Sequence, residues 1–236
     1  MKKKFEKIKA VFFDTSDTLY KSVELEAAYP RKLVELIAET CNISTEEAEH
    51  QLNETIEQLK ETENHVTKVR AAAEFGINRK QVHQKAFCKV IPSEYLRKDD
   101  GLNSVMAHLA KYYKLGIISN LNKLHMLEVF SALGLSPEWF PLFVTEDIVN
   151  EIKPHHEPFL KAIELSGYTA SECLYVGDSP TNDMRPAHEV GMTTILIASG
   201  VAEEYSTYVS ECIPDVKDII DLLEIAKPKN GAEKRT

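Results

Sequence analysis

The sequence predicts an α/β fold, a doubly wound parallel sheet with an all-helical segment inserted after its first strand. Three observations carry this. Short apolar runs rich in β-branched and aromatic residues recur, and several end on a carboxylate or a hydroxyl. From Asp99 onward these runs alternate with helical periodicity, the pattern of parallel strands covered by helices on both faces. Between the first run and Asp99, from Lys21 to Tyr95, only helical periodicity occurs.

The first strand is Val11-Phe12-Phe13, and it runs into Asp14. A carboxylate is costly to bury unless it is paired, hydrogen-bonded or bound to a metal. Asp14 therefore reads either as a nucleophile or metal ligand at the sheet rim, or as a helix N-cap. The helical segment follows. Leu25, Ala28, Leu33, Leu36 and Ile37 share one face, Ser44 opens a second helix, and Ala48, Leu52, Ile56 and Leu59 form its stripe. A third helix is expected to carry Val66, Val69 and Ala73 and to end at Gly76. A fourth is expected to open between Asn78 and Gln81 and to be closed by Pro92.

The alternating part opens with a helix through Leu102, Val105, Met106 and Leu109 and a strand from Leu115 to Ser119-Asn120. A helix lined by Leu124, Leu127, Phe130 and Leu133 follows and stops at Gly134; Leu142-Phe143-Val144 is the next strand. Pro154 is expected as the first residue of a helix that ends near Gly167. Cys173 to Gly177 is a strand leading to Asp178, a helix runs to Val190-Gly191, and Thr193 to Ile197 is a further strand. Asp215 is expected to open the last helix. The expected division is a core from 1–20 and 96–227, a helical cap from 21–95, and a disordered polar tail at 228–236. Sheets of this kind bind ligands outside the carboxyl ends of their strands. Asp14, Ser119, Asp178 and the segment to Lys153 all fall there.

Composition narrows the partners. A formal net charge of −9 argues against a nucleic-acid surface and against docking on an anionic membrane. No apolar run approaches the ~20 residues that span a bilayer. Met1-Lys2-Lys3-Lys4 is followed by Phe5-Glu6-Lys7 and not by an apolar signal core, so a cytoplasmic protein is expected. Four separated cysteines and eight histidines form no zinc pattern; His155-His156 are adjacent, not four apart.

Four motifs then stand in order: Phe13-Asp14-Thr15-Ser16-Asp17-Thr18-Leu19, Ile118-Ser119-Asn120, Lys153-Pro154, and Gly177-Asp178-Ser179-Pro180-Thr181-Asn182-Asp183. Together they resemble the haloacid dehalogenase superfamily of hydrolases, in the branch with a helical cap after the first strand. The match runs from Lys9 to about Ile225. The resemblance implies a Rossmann-like core and a phosphohydrolase acting on a small phosphorylated metabolite. It makes Asp14 the nucleophile that forms an aspartyl-phosphate. Mg²⁺ would be held by Asp14, Asp178 and the backbone carbonyl of Ser16, with Asp183 supporting these ligands from behind. Lys153 would neutralise nucleophile and phosphate. Ser119 and Asn120 would meet phosphate oxygens, and Thr18 would order the phosphate loop. The Leu19-Tyr20 ending is similar to pyrimidine 5′-nucleotidase-like members, and Arg70 is a candidate anchor for an anionic group, or else a solvated helix arginine.

Ser16 departs from the family's pattern, which has a second aspartate at that place as acid and base for leaving group and water. Such proton transfer is typically worth ~10²–10⁴-fold in rate. Asp17 stands where the family often has glycine and is expected to point away from the leaving oxygen. Three readings follow from the departure. One is a Mg²⁺-dependent phosphatase that is slow or suited to easily departing leaving groups. Another is a different reaction of the family, phosphonatase-like or dehalogenase-like, the latter weakened by the acidic pair Asp178 and Asp183. The third is a catalytically weak or inactive protein that binds a phosphorylated ligand or partner. The sequence leaves the oligomeric state open.

Overall fold

Six strands form one parallel sheet in the order β3-β2-β1-β4-β5-β6, with β1 Ala10–Phe13, β2 Lys114–Ile118, β3 Leu142–Val144, β4 Cys173–Gly177, β5 Thr193–Ile197 and β6 Glu211–Ile213. The computed structural model describes residues 5–63 and 66–226. β1 is central and fully buried, as its unbroken apolar run requires. Its neighbours are β2, in register Phe13 with Ile117, and β4, in register Phe13 with Val176. The chain leaves β1 toward β2 and β3 and returns to β4 on its other side, so the strand order reverses at the β1–β4 edge. The carboxyl ends there are the ligand crevice of such sheets.

The chain divides into two units, Met1–Lys21 with Arg97–Thr236, and Ser22–Leu96. The second unit is helical: α1 Val23–Cys41, α2 Thr45–Lys60, and the short α3 Lys68–Ala71, α4 Arg79–Lys85 and α5 Pro92–Tyr95. Leu33, Ile37, Leu52, Ala71, Ala72 and Val82 form its own core. Ser44 caps α2, and Asn78 with Gln81 makes a reciprocal capping box on α4. The expected third helix is a single turn followed by a 3₁₀ turn to Phe75, which Gly76 ends in the left-handed region; Val66 precedes it. Pro92 opens α5 as well as standing beyond α4, because its fixed φ suits a first helical turn.

In the first unit α6 is Asp100–Leu109, α7 Lys123–Leu133, α8 Glu157–Ser166, α9 Arg185–Glu189 and α10 Ile219–Ala226. Asp99 and Asn122 cap α6 and α7, and Gly134 and Gly167 end α7 and α8 with positive φ. Three expectations need correction. α7 buries the expected Phe130 and Leu133, but His125, Met126 and Val129 join them in place of Leu124, which is 77% exposed, and Leu127, which is only partly buried. α8 begins at Glu157, with Pro158 in its first turn, and Pro154 lies upstream in a cis peptide with Lys153. The strand β6 was not expected, because Glu211-Cys212-Ile213 is too short and too polar to show a period. The expected tail at 228–236 lies outside the described residues. No helix among the described residues is long and apolar enough to cross a membrane.

Candidate active site

β1 delivers Asp14 to the rim of the sheet, where its backbone N–H donates to the Val176 carbonyl at 2.8 Å and continues the ladder toward β4. The chain then turns sharply. Thr18 and Leu19 N–H groups both donate to the Thr15 carbonyl, and Asp17 takes φ 56°. Aspartate tolerates that left-handed region better than most side chains, which explains its place where glycine would be easiest. Asp14 is not an N-cap. It is buried and faces Lys153.

Lys153 is the centre of the site. Its ammonium donates to Asp14 Oδ1 at 2.6 Å, to Asp183 Oδ1 at 2.7 Å and to the Tyr175 hydroxyl at 3.0 Å. The lysine side chain is 6% exposed, so these are contacts in a low dielectric, where an unpaired ammonium would be costly. Its backbone is clamped by Asn120. The Asn120 amide donates to the Lys153 carbonyl, and the Lys153 N–H donates back to Asn120 Oδ1. Downstream, Glu157 accepts from the N–H groups of Asn150 and Glu151 and folds the loop that presents the lysine. Asn120, expected at the phosphate, thus has its carbonyl and one N–H engaged in holding Lys153.

Asp178 and Asp183 follow β4. Asp183 is buried, and both its oxygens are engaged: Oδ1 with Lys153 and Tyr175, Oδ2 with the Ser179 N–H at 3.1 Å. A Cβ on Gly177 would lie 2.8 Å from Asp183, so that strand end must be glycine for the carboxylate to pack there. Oxygens of Asp14, Asp178 and Asp183 come within 4.8 Å of one another. Ser119 stands at the end of β2. Its hydroxyl lies 3.3 Å from that of Thr15 and accepts from the Leu121 N–H. Thr18 is buried beneath the turn; its backbone closes the loop, and its hydroxyl has no hydrogen-bond partner among the described residues. The Ser16 hydroxyl lies 2.9 Å from the Tyr20 hydroxyl. Asp17 is exposed, and its charge acts on Asp178. In the helical unit Arg70 pairs with Glu63 at 2.6 Å and Glu74 at 2.8 Å.

Charge explains the titration of the group. Burial raises Asp14 from 3.8 to about 7 against the pull of Lys153, with Asp183 adding to the rise. Asp178 rises to about 6, mainly by burial and then by the Asp183 charge. Burial alone would discharge Lys153, but Asp14 and Asp183 outweigh it and hold the ammonium above its ordinary range. Three carboxylates face one cation. An all-oxygen set with excess negative charge fits a hard dication such as Mg²⁺. It is a set that a thiolate- or imidazole-seeking ion would not select.

The sign of the pH effect follows. Carboxylates with raised pKa hold protons in the folded chain that the unfolded chain gives up, so their contribution is present below about pH 4 and lost as pH rises through about 6 to 7. Mg²⁺ competes with those protons. The rise in melting temperature on adding Mg²⁺ is expected to be clearly larger at about pH 8 than at about pH 5. An equal rise at both would contradict this assignment of the cation to the carboxylates.

Sequence reasoning missed Tyr175. It reads as one more apolar residue of a buried strand, and its hydroxyl becomes informative only when Lys153 is placed beside it. The available signal was parity: Tyr175 pairs in register with Phe12 and so shares the face that leads to Asp14.

Comparisons with known proteins give the family. The profile of haloacid dehalogenase-like hydrolases matches residues 11–197. A glyceraldehyde 3-phosphate phosphatase of Methanocaldococcus jannaschii is 30% identical over 234 residues, covering 92% of this chain and 99% of that protein. A pyrophosphatase of Bacillus mycoides is 31% identical over 121 residues, 50% of this chain and 54% of that one. The crystal structure of a phosphatase of the same superfamily from Thermococcus onnurineus superposes with a TM-score of 0.67 at 23% identity, over 92% of this chain and 98% of that one.

Proposed function

The chain belongs to the haloacid dehalogenase-like hydrolases, and from that premise we propose that it is a Mg²⁺-dependent phosphatase of small phosphorylated metabolites, with Asp14 as nucleophile. The observation that carries the proposal is the buried ammonium of Lys153 held at 2.6 Å from Asp14 and 2.7 Å from Asp183, at the carboxyl end of the central strand. A structural salt bridge has no need of that crevice, and the desolvation of three carboxylates around one lysine is costly to a fold. A phosphoryl-transfer site has use for it. A carboxylate attacking an anionic phosphate needs nearby cations to relieve repulsion.

Asp14 attacks phosphorus and the ester oxygen departs, leaving an aspartyl-phosphate that water hydrolyses. Lys153 stays charged throughout and fixes Oδ1 of the nucleophile. Asp14 and Asp178, with the Ser16 carbonyl, would hold a dication, which would supply positive charge to the phosphoryl oxygens; Asp183 supports Lys153 and the Ser179 turn. In this reading Ser119, whose hydroxyl lies 3.3 Å from that of Thr15, is the donor to a phosphoryl oxygen. Ser16, paired with Tyr20, offers a hydroxyl where the family's acid would stand. It can hydrogen-bond a leaving oxygen but not protonate it near neutral pH. Turnover is therefore slow for alkyl esters, and faster where the leaving group departs as a stable anion.

The full-length relatives point to a three-carbon sugar phosphate as the first substrate to try. The test is hydrolysis of glyceraldehyde 3-phosphate and para-nitrophenyl phosphate by the purified protein. We expect release of phosphate from both with Mg²⁺, the aryl ester faster in turnover, and loss of activity in EDTA that Mg²⁺ restores. Activity indifferent to EDTA would overturn the metal-assisted mechanism.

A further inference from the structure

The ammonium of Lys153 carries three donors, and the structure gives it three acceptors: Asp14 Oδ1, Asp183 Oδ1 and the hydroxyl of Tyr175. Two are carboxylates with roles in the site. The third is a neutral phenol from the middle of β4. Tyr175 is wholly buried, its ring edge-on to Phe159 at 5.0 Å and packed in the core with Phe12. Phenylalanine would fill that space equally well. A buried hydroxyl is costly unless it is bonded, and this one is bonded twice, accepting from Lys153 and donating to Asp183 at 2.8 Å. Burial and the charges of Asp183 and Asp14 keep it a neutral phenol.

We propose that Tyr175 is a positioning residue for the reaction: its hydroxyl is the third tether that fixes the Lys153 ammonium against Asp14. Bonds to two carboxylate oxygens leave the ammonium free to swing about the axis that joins them. A bond to a third acceptor restricts that swing. With the hydroxyl gone, the third N–H has no bond in a buried place, and the ammonium shifts to find one, away from its bond to the nucleophile. The inference rests on the reading of Asp14 as nucleophile and adds a residue that acts through Lys153.

The test is Tyr175→Phe in the full chain, loaded with Mg²⁺ and assayed on para-nitrophenyl phosphate. Loss of the hydroxyl removes its charge-assisted bonds to Lys153 and Asp183 and predicts a fall in kcat of about ten-fold or more. KM should stay within about two-fold, because the lysine's position matters most in the transition state. In a Lys153→Met background the same substitution should change kcat no further, since its effect passes through the ammonium. Should Lys153→Met fail to fold, binding of beryllium fluoride with Mg²⁺ to Tyr175→Phe, followed by thermal shift, replaces it. Binding several-fold weaker than wild type is expected. Wild-type kcat in Tyr175→Phe, an equal loss in both backgrounds, or unaltered beryllium fluoride binding in the replacement experiment would overturn the proposal alone. A wild-type protein that hydrolyses no phosphate ester would overturn it together with the reading of Asp14.

Discussion

Replacing Asp14 with asparagine should remove turnover of every phosphate ester, a loss on the order of 10⁴-fold or more, as expected for a covalent nucleophile. The fold should survive. Asparagine keeps the shape and an oxygen for the Lys153 ammonium, and it removes a carboxylate that burial has already pushed up to about 7. A melting temperature close to that of the wild type, beside absent turnover, separates chemistry from folding. Turnover within ten-fold of wild type in Asp14→Asn would mean that water, or another group, attacks phosphorus directly.

The second large effect lies two residues on. Ser16→Asp should raise kcat on alkyl phosphates by about 10²-fold or more, within the range that general acid–base catalysis supplies. In kcat/KM, which reports the attack step, the gain on aryl phosphates should be much smaller, because a phenolate leaves without a proton; their kcat, limited by hydrolysis of the aspartyl-phosphate, should rise with the restored base. The new carboxylate can accept from the Tyr20 hydroxyl, which now lies 2.9 Å from the serine, so the loop has a partner for it in place. Initial rates on a series of esters with graded leaving groups check this. Equal gains in kcat/KM across the series, or none, would mean that the serine does not limit the chemistry.

Much of the fold could be read in the chain because its signals are local and redundant. The strands that frame the site are unbroken apolar runs, and their partners in register are close to what a buried parallel sheet requires. The caps expected at Ser44 and Asn78 accept from the N–H groups of Glu47 and Gln81. The misses came where burial depends on distant neighbours. Nothing local tells that α7 turns His125 and Met126 inward and Leu124 outward, or that three residues at Glu211 complete the sheet.

The site divides in the same way. Asp14, Lys153 and Asp183 could be named from motif order, and the structure brings them into contact. How they are held could not be named. Asn120 clamping the Lys153 backbone across 33 residues and Tyr175 completing the ammonium's partners are contacts between segments far apart in sequence. A tyrosine in a strand gives no sign of which lysine it will meet. The left-handed turn at Asp17 falls between: its sequence position suggested glycine's place, and its φ of 56° gives the reason.

The central claim is that phosphorus passes through Asp14. It is tested most directly by acid-quenching the enzyme during turnover of para-nitrophenyl phosphate and mapping phosphoryl groups by mass spectrometry. With Ser16 in place of an acid–base residue, hydrolysis of the intermediate is slow and the phosphorylated form accumulates. The expected result is a phosphoryl group on the peptide bearing Asp14, labile to hydroxylamine, absent from Asp14→Asn and reduced in Ser16→Asp. Turnover with no phosphoryl group on Asp14, or with one on another residue, would contradict the account.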